Sequence, residues 1–247
     1  MRFTVPFAVQ QIPLSYRMML VSIIKDSLRL ADEDYYTQLY EARKNEMKPF
    51  STAVYLRNIN IEEDNILLDE LLMTISSPDQ ELMLHLYNGL LKNKRFQYRD
   101  TYLERGKIRF VKEHEIRSSK VLFRTLSPML IENKEGKPIS PDSTEYAQEI
   151  NYYADLVLKS YQGKGLVKQL KVTPVAMQKQ VIQESNQEFE SQRSGAGNGK
   201  QKLYFTAYKG LLELVGDPRD LQLIYQLGLS KRRGQNFGCL EVIREEV

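Results

Sequence analysis

The chain has 247 residues, 42% apolar and 27% charged, with a formal net charge of +3; these are the proportions of a globular protein of one large domain or two small ones. Its longest apolar runs, such as Met18 to Val21, fall far short of the roughly 20 residues that a membrane helix needs. The single Cys239 and only two histidines exclude an internal disulfide, a multi-cysteine zinc site and a histidine-rich metal site.

MRFTVPFAVQ does not read as a signal peptide, and a reducing cytoplasm is the expected compartment. Arg2 to Val9 reads instead as a first strand. In IPLSYRMMLVSIIKDSLRL, Leu14, Met18, Val21, Ile24 and Leu28 recur at helical spacing, and Pro13 sits near the helix start. Thr52 to Asn58 and Ile66 to Ser76 read as strands. Pro78 then opens a second helix, with Leu82, Leu86 and Leu90 four apart. Lys107 to Ile116 alternates Ile108, Phe110, Lys112, His114 and Ile116 on one face and predicts another strand.

The second half repeats the order. Lys120 to Leu126 predicts a strand. The next helix has Asp142 at its N-cap, Glu145 as reciprocal partner, and a face of Tyr146, Ile150, Tyr153, Val157 and Tyr161. Leu166 to Val172 and Val175 to Gln183 read as extended, Ser194 to Lys200 as a flexible turn tip, and Lys202 to Lys209 as a strand. GDPRDLQLIYQLG is a helix with Asp217 at its N-cap, Pro218 in the first turn and Gly228 at its stop. Cys239 to Arg244 is the last strand. Two successive βαββαβ units predict an α+β chain of two tandem ferredoxin-like domains, residues 1–117 and 118–247.

Charge is unevenly placed. Lys92 to Arg109 carries seven Lys and Arg against Asp100 and Glu104, with Phe96, Tyr98 and Tyr102 interleaved; Leu156 to Gln183 carries five lysines and no acid. Basic segments threaded with aromatics suit a polyanion whose bases can stack, although each alone reads equally as solvated surface. The same question attaches to QLGLSKRRGQNFGCLEV, Gln226 to Val242, where three glycines surround Lys231, Arg232 and Arg233. Such a loop suits phosphate, through close backbone approach and charge. In nucleotide-binding loops a strand leads through glycines into a helix. Here a helix comes first and a strand follows, which points away from a nucleotide.

With these elements in place the chain resembles the CRISPR-associated endoribonucleases that cut precursor CRISPR RNA, the Cas-six family of the repeat-associated mysterious protein (RAMP) superfamily. That family ends in Gly-Leu-Gly, a basic spacer and Gly-Phe-Gly between the last helix and the last strand. The matching residues are Gly228-Leu229-Ser230, Lys231 to Gln235 including Gly234, and Asn236-Phe237-Gly238, with Ser230 and Asn236 in place of two glycines. IPLSYRMMLVSIIKDSL, LYEARKNEMKPFSTAVY and FRTLSPMLIE are similar to family segments in the same order, so the resemblance spans nearly the whole chain.

The resemblance implies a metal-independent endoribonuclease without cofactor, in which a 2′-OH attacks the adjacent phosphate to leave a 2′,3′-cyclic phosphate and a 5′-OH. It implies precursor CRISPR RNA as substrate, room for other Cas proteins as partners or for a homodimer, and no membrane. RNA contacts are expected from Gly228, Ser230, Lys231, Arg232, Arg233, Gly234, Asn236, Phe237 and Gly238. At the family's usual catalytic histidine this chain has Tyr40, within Leu39-Tyr40-Glu41. Tyr40, Tyr36, Lys44 and Lys48 are therefore the expected catalytic set, with Arg43 and the lysines lowering the pKa of their neighbours. The alternatives are a non-cleaving repeat-RNA-binding subunit and a RAMP-type scaffold. His85, on a helix flank, reads as a packing histidine; His114 shares the predicted strand face with Phe110 and Ile116; Cys239 reads as a small buried residue.

Overall fold

Phe3, Val5 and Phe7 project from one face of β1 (Arg2–Ala8) and are fully buried, while Thr4 and Pro6 face the other way. The computed structural model describes residues 1–185 and 202–246. β1 runs antiparallel to β6 (Glu70–Ser76), Arg2 opposite Ser76 and Ala8 opposite Glu70, and β6 pairs in turn with β3 (Ser51–Arg57). The other edge of β1 meets β8 (Thr101–Arg105) and β9 (Arg109–Phe110), and β8 forms a hairpin with β7 (Arg95–Tyr98). α1 (Arg17–Ala31) and α3 (Gln80–Lys92) cover the apolar face, burying Leu20, Ile24 and Leu28 with Leu82, Leu86 and Leu90. A short helix, α2 (Glu33–Thr37), follows α1, and β2 (Gln11–Pro13), β5 (Asn65–Leu67) and β4 (Asn60–Glu62) form a small separate sheet.

The second sheet is built the same way. β10 (Lys120–Thr125) lies between β12 (Lys202–Val215) and β13 (Leu240–Glu246), with β11 (Lys171–Ser185) outside β12. α4 (Tyr146–Gln162) and α5 (Pro218–Leu227) supply Tyr146, Ile150, Val157, Leu221 and Ile224 to its core. In each unit the strand that follows the first helix lies at the edge, and the first strand lies inside. The chain is therefore α+β with two ferredoxin-like folds.

Several local expectations shift. Pro13 belongs to β2, and α1 starts only at Arg17, so its buried line is Leu20, Ile24 and Leu28 with Met19 and Ile23, whereas Leu14, Met18 and Val21 are only partly covered. The strand expected over Lys107 to Ile116 shrinks to Arg109–Phe110, because the edge position beside β1 is shared with β8 of an unforeseen hairpin. Asp142 does not cap α4: the helix begins at Tyr146, with Glu145 at the N-cap position and no side-chain cap bond. The two extended pieces from Leu166 to Gln183 are replaced by the single long strand β11, which pairs with β12 from Lys171 to Ser185 across one register shift beside Pro174. The turn expected at Ser194 to Lys200 lies outside the described residues.

Arg2 helps to join the halves. Its buried Nη2 donates to Ser76 Oγ at 3.1 Å, Tyr225 O at 3.1 Å and Leu240 O at 2.9 Å, and its guanidinium lies 4.2 Å from the Tyr225 ring centre. A second junction pairs Arg17 at the start of α1 with Glu184 on β11, at 3.2 Å.

Candidate functional site

The residues after α1 turn back along it. Asp32 accepts a hydrogen bond from Tyr35 N at 2.9 Å and starts α2, which widens into a π turn over Gln38–Ala42; single π turns inside helices are frequent at functional sites. The turned segment stacks Tyr36 on Tyr40, ring centres 5.4 Å apart and planes 24° from parallel. Two α1 cations one turn apart face this stack: Arg29 lies 4.1 Å from the Tyr36 ring centre, and Lys25 Nζ lies 5.0 Å from that of Tyr40. Lys48 Nζ reaches the Tyr40 ring from the following loop, at 5.4 Å, and donates to Arg43 O at 2.5 Å. The sequence pointed to Tyr36, Tyr40 and Lys48. It missed Lys25 and Arg29, whose only sign was a pair of cations four apart on the polar side of α1.

The electrostatics divide the set. Burial, then the adjacent Tyr36 and Tyr35 phenols, push the Tyr40 phenol well above the ordinary tyrosine range. The expected lowering of Tyr40 by nearby cations is therefore reversed. Tyr40 keeps its proton at neutral pH and can donate a hydrogen bond, but it is no base. Lys48 titrates below an ordinary lysine, chiefly through burial and further through Arg43 and Lys25, against the opposing pull of Glu46. Arg43 itself is engaged by Glu46, Nη2 to Oε2 at 2.5 Å. Lys44 is exposed on the next turn and, among the described residues, makes no hydrogen bond or ion pair. His85 stacks on Tyr35 at 4.3 Å and packs against the site's outer side. His114 lies outside any strand, its Nε2 hydrogen-bonded to Glu245. Cys239 is buried, and burial pushes its thiol up.

The glycine loop sits differently from an open phosphate cradle. Gly228, Leu229, Ser230, Arg233, Asn236, Phe237 and Gly238 are all buried, Arg232 is exposed, and Lys231, Gly234 and Gln235 lie between. The backbone N–H groups expected to face phosphate mostly have partners inside the protein: Leu229 N donates to Gly238 O at 2.8 Å, Lys231 N to Leu130 O at 3.1 Å, Gly238 N to Pro128 O at 2.8 Å, and Asn236 N to Thr52 Oγ1 at 3.0 Å. Ser230, standing where the family has glycine, accepts from Leu130 N at 2.8 Å. Asn236 has φ +65°, a left-handed conformation it tolerates well. Phe237 packs edge-on to Phe205, ring centres 6.3 Å apart.

The three cations have three separate settings. Lys231 pairs with Glu132 at 2.5 Å. Arg233 is buried without a carboxylate, donating Nη1 to Leu227 O at 2.5 Å and Nη2 to Lys48 O at 3.2 Å, and burial pushes its pKa down to about 10. It cannot reach a ligand from there; its role is to tie the loop to the strand of chain that carries Lys48. Arg232 lies over Phe205, 4.8 Å from its ring centre, and among the described residues its side chain donates to Gln235 Oε1 at 3.1 Å. The loop is thus a wedge between the two sheets that presents one solvent-facing guanidinium.

Two ferredoxin-like units with a glycine-rich wedge between the last helix and the last strand define the class of protein. Residues 111–242, more than half of the chain, match the family described as CRISPR associated protein Cas6, C-terminal. The chain belongs to that family. Among solved structures it is similar to a Cas6-related protein of Pyrococcus furiosus, with TM-score 0.77, 16% identity and all of both chains covered. It is similar to a RAMP protein described as binding different RNA substrates, at 0.76 and 16%, over 99% of this chain and 100% of that one. A Cas6 product complex follows at 0.68 and 13%, over 98% and 99%. At such identity these likenesses speak for the fold. No curated protein sequence matches the chain.

Proposed function

We propose that the chain binds CRISPR repeat RNA and cleaves precursor CRISPR RNA by transesterification, as a unit of two domains, residues 1–117 and 118–247, working in the cytoplasm and open to other Cas proteins. The observation that carries this reading is the Tyr40 ring flanked by Lys25 and Lys48, in a member of the Cas6 family, at the point where the glycine loop is anchored by Arg233. The attacking 2′-oxygen forms its bond to phosphorus and loses its proton to solvent; the bond to the 5′-oxygen breaks, and that oxygen is protonated. Lys25 and Lys48 hold the phosphate and neutralise the charge that grows on it. Tyr40, fully protonated, donates to a phosphate oxygen or to the leaving 5′-oxygen. With no base of suitable pKa beside the ring among the described residues, turnover is slow. Lys44 contributes at most long-range charge.

Incubation with repeat RNA in EDTA tests this. A 2′,3′-cyclic phosphate product that falls about 10²–10³-fold with Lys25→Ala or Lys48→Ala supports it. Bound RNA that stays full-length in the wild type gives the site to a second reading, a non-cleaving repeat-RNA-binding subunit, which the raised Tyr40 phenol favours. A chain without RNA affinity discards both and leaves the scaffold role.

A further inference from the structure

The outer side of α3 carries an apolar strip that is exposed among the described residues. Leu84 and Leu91, two turns apart, are 57% and 48% exposed, with the half-buried Tyr87 between them. The strip continues onto the sheet edge: the Tyr87 ring lies 5.2 Å from that of Phe110, which is 58% exposed and meets Phe3 edge-on at 6.1 Å. β9, which carries Phe110, pairs only with β1 among the described residues, so its outer edge is open. We propose that this strip is the contact between two copies of the chain, related by a two-fold axis that crosses α3 at Tyr87 and sets the two α3 helices antiparallel. The inference stands independently of the RNA-binding reading.

Three observations lead there. First, apolar side chains exposed singly are ordinary, but a contiguous run of them marks an interaction surface. Leu82, Met83, Leu86 and Leu90 already fill the core side of α3, so Leu84 and Leu91 are spare to the fold of one chain. Second, the charges beside the strip are opposite at its two ends. Glu81 in the first turn and Lys92 in the last are both exposed, and eleven residues, close to three full turns, put them on one side of the helix. Among the described residues neither forms an ion pair. Lys92 Nζ donates to Leu30 O at 2.9 Å and Ala31 O at 3.3 Å, and an ammonium has a third proton to give. A patch of one sign would repel its own copy; this one attracts a copy turned end for end, Glu81 of each against Lys92 of the other. Third, the positions are symmetric. The midpoint of Glu81 and Lys92 and that of Leu84 and Leu91 both fall within one residue of Tyr87, about 1.5 Å along the helix. One axis therefore lays each Leu84 on the other copy's Leu91 and joins both charge pairs, with the two Phe110 rings beside it.

The contact leaves the Tyr40 site open. Gly89 packs α3 directly on the Ser27 carbonyl of α1, where a Cβ would have no room, and Leu84 and Leu91 stand on the side of α3 away from that contact. Lys25 and Arg29 lie about half a turn round α1 from Ser27. Each copy of the pair keeps its own site.

Sedimentation of the full chain across the micromolar range tests this. The wild type is expected at twice its 28.8 kDa chain mass, dissociating on dilution. Leu84→Lys should weaken the pair by at least about tenfold, whereas Tyr102→Lys, at a ring 66% exposed on β8, should leave it unchanged. Glu81→Lys and Lys92→Glu should each weaken self-association, and an equimolar mixture of these two variants should recover it, because both contacts of the mixed pair join opposite charges. That recovery comes from two variant chains alone, so a loss of fold in either cannot imitate it. A wild type that stays monomeric at the top of the range overturns the proposal and leaves the strip to another protein. A dimer that survives Leu84→Lys, or a mixture that associates no more tightly than its components, overturns it as well.

Discussion

Replacing Glu184 by leucine leaves Arg17 as an unpaired cation at the junction between the two units. In the native protein their side chains are 8% and 10% exposed and 3.2 Å apart. At that distance two unit charges attract by about 5 kcal/mol at an effective dielectric near 20. Desolvation opposes this by several kcal/mol for each ion. Glu184 shows which effect is larger at its carboxyl: burial raises its pKa despite the opposing pull of Arg17. The pair is therefore close to neutral for stability, but either partner alone is expensive. Glu184→Leu and Arg17→Met should each destabilise by about 3–5 kcal/mol, a drop in Tm of about 6–20 °C for a chain of this size, whereas the double variant should lie within about 1 kcal/mol of wild type. Urea unfolding of the four proteins gives the coupling directly. The pH dependence has a definite sign. A folded-state pKa raised above the unfolded value of about 4.3 means that Glu184's contribution is full below that value and is lost as pH rises through the folded pKa. Glu184→Gln removes this part of the slope. Two single variants that lose less than about 1 kcal/mol each, or a double variant that loses their sum, would refute the reasoning.

The other predictions concern the loop and the Tyr40 site. Gly228 has φ +77°, and a Cβ there would stand 2.7 Å from both Gly238 O and Ser51 Cβ; Gly136 has the same φ with open space around it. Gly228→Ala should therefore destabilise well beyond Gly136→Ala, which carries only the left-handed backbone penalty of about 1–2 kcal/mol, and equal losses in urea unfolding would show that the wedge has slack. Arg233→Ala should destabilise by about 2–4 kcal/mol by removing a buried donor to Leu227 and Lys48 carbonyls. Arg232→Ala should leave stability within about 0.5 kcal/mol and lower the salt slope of RNA binding by about one; a reversal of those two outcomes in melting and titration experiments would discard the assignment. Cleavage should fall as pH rises through the lowered pKa of Lys48, before an ordinary lysine would lose its charge, with no earlier fall from Tyr40 because its phenol titrates higher than usual. A rate that falls instead in step with phenol ionisation near pH ~10 contradicts this.

Period and punctuation carried most of the fold. Leu82, Leu86 and Leu90 mark the buried side of α3, and Asp217-Pro218 with Gly228 brackets α5 as expected, Asp217 accepting from Arg219 N. These signals are local, so neighbours several strands away do not alter them. The failures have long-range causes. The β7–β8 hairpin was hidden because Lys94, Arg95, Arg99 and Arg105 look like a solvated basic run; its strand character comes from pairing with β1, with Phe96 and Leu103 alone turned inward. Arg17 and Glu184 are 167 residues apart, and neither signals that it will be buried. Tyr36, Tyr40 and Lys48 were legible as a cluster in sequence. Lys25 and Arg29 were not, because only the reversal of chain after Asp32 brings α1 against them.

Three cations among glycines suggested a loop built for phosphate, yet the structure distributes the same residues over three tasks. Lys231 is half exposed but paired with Glu132, Arg233 is turned inward to carbonyls, and Arg232 is exposed over the Phe205 ring. The glycines answer a steric demand, since the loop passes between Ser51 and its own returning strand, where a side chain at Gly228 has no room. A rigid wedge does more for a phosphodiester cut than a flexible grip. In-line attack needs the nucleophile, phosphorus and leaving oxygen held in one arrangement, and misplacement by 1 Å can cost about 10²-fold. Arg233 fixes the backbone of Lys48 to the second unit, while Arg17 and Glu184 fix the start of the helix that carries Lys25. Both lysines that flank Tyr40 are thus positioned by contacts that cross from one sheet to the other. On this argument, loosening the junction by Arg233→Lys should reduce cleavage by more than it reduces RNA affinity; equal reductions in rate and affinity would mean that the wedge serves binding alone.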